Sequence, residues 1–466
     1  MRVCVVIFLG FLCVLLFRKA AGGLSPKRMN IITLVFVYTF VTNVIGGSLL
    51  FLGFRDNYML VDISQKAVDY GYFTIMYTIL AIPLVVIVFS ALLPNSRVPD
   101  LTSHLGPTPV ATAEPRVPTL VTFLTCLSAG CAVYSVYFVG GVPLLELIRN
   151  FGENFNAQAI SNSRAFRGNV YIRNIGFILT SKILAYVSYV FIRVKQTDRP
   201  WLLFVVNFSL ALIAVTFDYS KSPIAVFILG FFLIEVCLGR IKSIWPVVAF
   251  VAVGAGLVLV GYAATGFTTA PGGNGWFSLS TGPVSRLLIG QNGGVFLTFD
   301  TFPTQVKFLN GASLPEWMGS FLGIPNAGTR SGRILMEVYN PAGVRNETAG
   351  VINSLASAEA YANWGPVGIF ITPIIIGFYI TLIHKYVRRG PDNPFGVALY
   401  VVLSTVLAQT LEGGIIDFIY NASVIYLIVV FLLMQWLSPP ADDGGHSSRR
   451  PPGPRTAWGA AARGGR

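Results

Sequence analysis

Residues 72–93 read YFTIMYTILAIPLVVIVFSALL and contain no charged side chain. Because an α-helix rises about 1.5 Å per residue, a run of this length crosses the roughly 30 Å of hydrocarbon in a bilayer. Comparable runs recur along the chain, which predicts an all-α polytopic membrane protein. About eleven spans are predicted, at 3–17, 31–54, 72–93, 119–139, 170–192, 201–217, 223–238, 245–264, 366–383, 395–412 and 418–437.

The composition of the 466 residues agrees with this prediction, since 54% are hydrophobic and only 11% are charged. A soluble globular protein carries about twice that share of charged residues. The five cysteines all lie in apolar runs, where they behave as small core residues. We therefore expect neither a disulfide framework nor a zinc site.

The net charge of +13 has a topological explanation. Lysine and arginine are concentrated in one set of alternate short loops and in the tail, rather than in a patch that would bind nucleic acid. Because such loops stay in the cytoplasm, the amino terminus is predicted outside and the carboxyl terminus inside. No nucleic-acid partner is expected.

The spans divide the chain into four regions. Residues 1–264 are an eight-helix membrane region, and residues 265–365 form one large extracytoplasmic loop with ordered-looking apolar pieces beginning at Arg286. Residues 366–437 form a three-helix membrane region. Residues 438–466 are rich in Gly, Pro and Arg, a composition typical of a disordered basic cytoplasmic tail that is attracted to membrane lipids.

Motifs for nucleotide chemistry are missing from the sequence. There is no Walker A loop, no kinase-like set and no dinucleotide glycine fingerprint. The three histidines, His104, His384 and His446, all fall on the predicted cytoplasmic side. Catalysis on the outer face must therefore use carboxylates, arginines or tyrosines, and we expect neither a cofactor nor a metal.

Arginines cluster at the predicted outer face. Arg164 and Arg167 are three residues apart and share a face if helical, while Arg173 lies just inside a span. Their retention at headgroup depth favours a lipid phosphate as partner, although snorkelling to the headgroups explains Arg173 as well.

A second arginine pair lies in the large loop. Arg330 and Arg333 repeat the three-residue spacing, and Glu337 follows one turn later. Two guanidinium forks and a carboxylate on one helical face suit a diphosphate and its sugar. The alternative is a surface salt bridge between Arg333 and Glu337.

Three carboxylates on the same side are candidate general bases. Glu359 stands among small residues just before the ninth predicted span, and Glu412 and Asp417 flank the turn between the last two. The alternative for Glu412 and Asp417 is turn capping. Any of the three is placed to deprotonate a sugar hydroxyl.

Several segments resemble a known family. The stretch from Asn353 through Glu359, Tyr361, Asn363 and Gly365 is similar to the E-x-Y-x-N-[FW]-G-x-x-G segment of Wzy-type oligosaccharide repeat-unit (O-antigen or exopolysaccharide) polymerases. Residues 309–314 and 322–325 resemble the "N-G-x-[ST]-[FYL] … I-P-R" stretch of the family's outer loop, and residues 217–223 resemble its "G-S-R" connection. The hydropathy similarity covers most of the chain, whereas these motifs cover little of it.

The resemblance implies a GT-C-like bacterial inner-membrane glycosyltransferase. Such an enzyme joins undecaprenyl-diphosphate-linked repeat units on the outer face, inverting the anomeric carbon without a nucleotide sugar or metal. A chain-length regulator is a further candidate partner. Lys221 and Asn326 stand where the family usually has arginine, which weakens a bidentate phosphate contact at either position.

The candidate residues follow from both lines of reasoning. We expect Glu359, Arg333 and Arg330 to be catalytic. The expected substrate-binding residues are Arg164, Arg167, Arg173, Lys221, Arg286, Glu337, Asn353, Tyr361, Glu412 and Asp417.

Two other functions stay open. An O-antigen ligase-like glycan transferase shares the architecture but is expected to carry a histidine in its large outer loop, where this chain has none. A polysaccharide flippase or secondary transporter also has many spans, but its loops are normally short.

Overall fold

The computed structural model describes residues 1–25, 29–57, 59–93, 116–150, 166–194, 200–219, 222–241, 243, 245–264, 275, 278–280, 282–346, 349–388 and 394–437. These ranges are helical with connecting turns and contain no strand, so the all-α prediction is confirmed for them. The helices are α1 (Arg2–Ala21), α2 (Ile31–Leu52), α3 (Gln65–Leu92), α4 (Arg116–Val139), α5 (Pro143–Arg149), α6 (Ile172–Val194), α7 (Pro200–Thr216), α8 (Ser222–Cys237), α9 (Trp245–Ala264), α10 (Gln291–Thr301), α11 (Glu316–Phe321), α12 (Ser331–Tyr339), α13 (Pro341–Arg345), α14 (Ala356–Trp364), α15 (Pro366–Arg388), α16 (Pro394–Thr410), α17 (Ile415–Ile419) and α18 (Ala422–Leu437).

Six helices in the described ranges are long and apolar enough to cross a bilayer. They are α1, α2, α3, α4, α6 and α15. The apolar helices α7, α8, α9 and α16, and the apolar segment Ile415–Val430, are shorter. This is the architecture of a polytopic membrane protein, and the eleven-span count stays a prediction.

Helix α16 lies at the centre of the bundle and packs against α2, α6, α8 and α18. Its apolar side chains are buried on several sides, including Val397, Leu399, Leu403 and Leu407. A helix that is apolar all round is stable only when other helices or lipid surround it. These four neighbours enclose much of α16.

Three helical segments have π-type hydrogen bonding: Phe40–Ile45 inside α2, Ile172–Leu179 at the start of α6, and Arg286–Gly290 just before α10. A π-turn shifts the backbone ladder and recurs at functional sites. At the first of them, the side-chain amide of Asn292 donates to the carbonyl of Thr42 and, at 2.8 Å, to that of Leu288. These bonds tie the π-turn of α2 to the start of α10.

The described part of the predicted outer loop packs onto the membrane helices. Helix α10 lies along α3, and α14 lies along α15. Gly71 in α3 faces the ring of Phe296 so closely that a Cβ would collide with it. The loop thereby brings α12, α14 and α17 together at one end of the bundle.

Candidate active site

Helix α14 places Glu359 in the protein interior, where the residue is 3% exposed. The alanines at alternate positions from Ala356 to Ala362 are all buried. Alanine favours the helix and keeps its surface narrow. The neighbouring α15 comes so close that Gly368 has no room for a Cβ beside the carbonyl of Ala360. Small side chains therefore hold Glu359 against its neighbours.

The turn between α16 and α17 surrounds the Glu359 carboxylate. The backbone N–H of Ile416 donates to its Oε2 at 3.2 Å. Gly414 has a φ of 110°, and a Cβ at this position would collide with the carboxylate. Position 414 therefore requires glycine for two reasons: the backbone is left-handed, and a side chain would have no room beside the carboxylate.

Burial raises the pKa of Glu359 to about 7. The N–H of Ile416 opposes this rise, the negative charge of Asp417 adds to it, and the positive charge of Arg330 opposes it. A carboxyl group that is half ionised near neutral pH is suited to accept a proton and to release it again. This property makes Glu359 a candidate general base.

Arg330 and Asp417 form a bidentate ion pair next to Glu359. Nη2 of Arg330 donates to Oδ1 of Asp417 at 2.6 Å, and Nη1 donates to Oδ2. The hydrogen bonds to Asp417 are the largest reason that the pKa of Arg330 is raised. The two side chains remain 46% and 29% exposed, so the guanidinium stays within reach of a ligand.

The side chains of Arg330 and Arg333 contact different carboxylates. Arg330 is the N-cap of α12, with extended backbone, and turns toward Asp417. Arg333 lies inside the helix, where its Nε donates to Glu337 at 3.2 Å. The sequence analysis placed Arg330 and Arg333 on one helical face. That prediction is wrong, because the helix begins only after Arg330.

Asn363 attaches the outer loop to α14. Its Oδ1 accepts from the N–H of Gly311 at 3.1 Å, and its Nδ2 donates to Oγ of Ser313 at 3.0 Å and to the carbonyl of Glu359 at 2.9 Å. Asn363 is fully buried. It therefore holds the segment that leads to Arg330 against the helix that carries Glu359.

Glu412 is as buried as Glu359 but contacts a different helix, α2. The hydroxyl of Tyr38 donates to it at 2.8 Å, and the amide of Asn43 donates at 3.2 Å. Glu412 is 3% exposed, and each of its two carboxylate oxygens accepts a hydrogen bond from α2. Glu412 is therefore bound to the π-turn of α2 and not to the Arg330–Asp417 pair.

Three other predicted substrate-binding residues lie elsewhere. The ring of Tyr361 packs against Phe299, with centroids 4.4 Å apart. Asn353 is exposed and donates to Oε1 of Gln291 at 2.8 Å. Arg286 is exposed at the start of its π-turn.

The arginines of the other predicted cluster are separate from this site. Arg173 is 7% exposed and its guanidinium lies 4.6 Å from the ring centre of Phe166. Burial raises the pKa of Asp218, and the positive charge of Arg173 lowers it. Arg167 is exposed, and Arg164 and Lys221 lie outside the described residues.

Several residues of these clusters were not expected from the sequence to be functional. Asn363 is part of the quoted motif, and Gly414 belongs to a Gly-Gly pair that a turn search would find. Tyr38, Asn43 and Asp218 carry no local signal. Their partners are distant in the chain, as for Tyr38 and Glu412, which are 374 residues apart.

Among the described residues, no group of three or more His, Cys, Asp or Glu side chains is placed to hold a metal ion. Comparison with protein-family models, curated proteins and solved structures found no match to this chain. The geometry around Glu359 is therefore the basis for a functional proposal.

Proposed function

We propose that this protein polymerises undecaprenyl-diphosphate-linked oligosaccharide repeat units into O-antigen or exopolysaccharide. In this proposal it is a GT-C-like, inverting, metal-independent glycosyltransferase of about eleven spans in the bacterial inner membrane. Its amino terminus lies outside and its carboxyl terminus in the cytoplasm. The observation that carries the proposal is a buried carboxyl with a pKa of about 7, Glu359, beside the half-exposed Arg330 fork.

In the proposed reaction, Glu359 takes the proton of the acceptor sugar hydroxyl. The hydroxyl oxygen bonds to the anomeric carbon of the donor glycan, and the bond from this carbon to the diphosphate oxygen breaks. The electron pair leaves on the diphosphate, which departs as undecaprenyl diphosphate. Fixed cations beside the developing charge usually supply the largest catalytic term.

Arg330 is the cation that we assign to the diphosphate. Guanidinium forks bind carboxylate and phosphate oxygens with the same bidentate geometry. Arg330 already holds Asp417 in that way, so substrate binding exchanges carboxylate oxygens for phosphate oxygens. Arg333, in the first turn of α12, is the second proposed cation.

The test is complementation in a deletion strain of the native host. Glu359→Gln and Arg330→Ala are expected to convert long surface polysaccharide into single repeat units on a gel. General-base removal costs about 10²–10⁴-fold in rate. Asp62→Asn and Arg345→Ala, at exposed positions away from the site, serve as matched controls and keep the long polymer.

One observation favours a transporter instead. Glu412 is 3% exposed and hydrogen-bonds to Tyr38 and Asn43 in a candidate span. Buried carboxylates among spans often relay protons or ions. If deletion leaves lipid-linked repeat units on the cytoplasmic face, the protein exports them and the polymerase proposal is wrong.

A further inference from the structure

Residues 311–330 form a closed loop. The N–H of Gly328 donates to the carbonyl of Leu314 at 2.7 Å, and the N–H of Thr329 donates to that of Ala312 at 2.9 Å. These bonds clamp the two ends of the loop together, and Asn363 fixes its base. The far end, which we call the loop tip, consists of α11 and residues 322–325.

The loop tip exposes large apolar side chains. Trp317 is 57% exposed, Phe321 86% and Leu322 56%. Residues 317–329 contain no charged residue. Loop surfaces that face water are usually polar. A contiguous exposed apolar patch therefore indicates a surface that contacts another protein or a membrane.

The loop tip contacts the segment that leads into α18, which belongs to the last predicted span. The ring of Trp317 lies 5.4 Å from that of Tyr420, which follows α17 and precedes α18. Further along α18, Ile425 is 43% exposed and Val429 is 56% exposed. Exposed apolar side chains thus run from the helix onto the loop.

We propose that the loop tip inserts into the interfacial region of the bilayer, among lipid headgroups and the adjoining acyl chains. Tryptophan and tyrosine are enriched at this depth because each combines an apolar ring with a polar group. Glu316 is the one charged residue of the loop tip, and the apolar side chains that follow it bury themselves in the same layer while its carboxylate stays among the headgroups. The occupant of this surface is therefore lipid.

The inference does not depend on the polymerase proposal. It places Arg330, at the end of the same loop, at headgroup height beside Asp417. A ligand reaching this site would then approach along the membrane surface rather than from bulk water. Any function of the site is thereby directed toward substrates that are held in the membrane.

The first experiment uses photo-crosslinking in vesicles. The purified full chain, with p-benzoylphenylalanine in place of Phe321, is reconstituted in dioleoylphosphatidylcholine and irradiated. A matched variant carries the same probe at Asn346, which is exposed in the same outer region but away from the tip. We expect lipid adducts at position 321 to exceed those at position 346 by about ten-fold, in keeping with burial of the tip at the acyl boundary.

Equal lipid adduct at the two positions would overturn the proposal, as would crosslinking of position 321 to a second polypeptide. A second measurement uses no probe residue. Phosphatidylcholine brominated near the headgroup should quench the fluorescence of Trp317. The variant Trp317→Phe should therefore lack this quenched component. If the quenched fraction is the same with and without Trp317, the tip does not enter the bilayer.

Discussion

At the level of single residues, desolvation dominates the behaviour of Glu359. Its carboxyl is close to the backbone N–H groups of Ile415 and Ile416, and two charges of opposite sign lie further off, on Arg330 and Asp417. Burial outweighs these effects and raises the pKa to about 7. The protonation state of this side chain therefore changes in the physiological range, and pH is the most direct way to examine it.

The first prediction concerns the pH dependence of the reaction. A general base acts only when ionised, so the polymerisation rate should rise as the pH is raised through about 7. The measurement is the initial rate of polymer formation by reconstituted protein between pH 5.5 and 8.5, about one and a half units either side of that pKa. A rate that is flat across this range would exclude Glu359 as the base.

The second prediction separates the two neighbouring charges. Asp417→Asn removes a charge that raises the pKa of Glu359, so the acid limb of the rate profile should move to lower pH. Arg330→Gln removes a charge that lowers this pKa, so the limb should move to higher pH. Profiles normalised to their own maxima compare the two shifts. Movement in the same direction for both variants would contradict the assigned geometry.

The third prediction concerns stability. The unfolded chain ionises Glu359 near the ordinary value of 4.5, whereas the folded chain does so near 7. The folded state therefore loses stability as the pH rises through that window, by up to about 3 kcal/mol at 1.36 kcal/mol per unit.

Glu359→Gln cannot ionise and should avoid this loss. In a thermal unfolding assay in detergent, the variant should match wild type below pH 4.5 and unfold at a higher temperature at pH 8. Asp62→Asn, at an exposed carboxylate, should show no such crossover. A Gln variant that is less stable at both pH values would show that the carboxyl is required for packing.

At the scale of elements, α14 acts as the support on which the site is assembled. It packs along α15 on one side and against α17 on another. Asn363 at its end binds the loop that carries Arg330, while Glu359 in its middle faces the turn before α17. One short helix therefore positions groups from three different segments.

The fourth prediction tests this support. Asn363→Ala leaves the buried N–H of Gly311 without its acceptor, which costs about 1–3 kcal/mol, and removes the hydrogen bond to Oγ of Ser313. We expect faster proteolysis within residues 311–330 and a lower maximal rate.

Asn363→Asp keeps an acceptor for Gly311 but buries a carboxylate against the carbonyl of Glu359, so it should restore neither property. Asn346→Ala, at an exposed asparagine, should change neither. Unchanged proteolysis in the Asn363→Ala variant would show that the loop is held by other contacts.

At the scale of the whole molecule, the charge bias of the loops predicts the orientation of the chain in the membrane. The fifth prediction is that alkaline phosphatase fused after Asn346 is active and that the same reporter fused after Arg388 is inactive. Residues 366–383 are predicted to cross the membrane between these two points. The reverse activities would place the candidate site in the cytoplasm and exclude a polymerase on the outer face.

The sequence alone determined the helical class, the presence of several helices that are long and apolar enough to span a bilayer, and the residue types available for chemistry. This is possible because a bilayer requires each spanning segment to satisfy its own backbone hydrogen bonds over a fixed length, so the signal is local. Sequence reasoning also selected Glu359, Arg330 and Asp417, each for a different local reason.

Only the tertiary structure decided which of the selected residues contact one another. Arg330 pairs with Asp417, 87 residues away, and not with the helical face of Arg333. Glu412, five residues before Asp417, instead contacts α2. A pKa and a hydrogen-bond partner depend on the desolvation and charges that distant segments bring to a side chain, and these quantities have no local signal in the sequence.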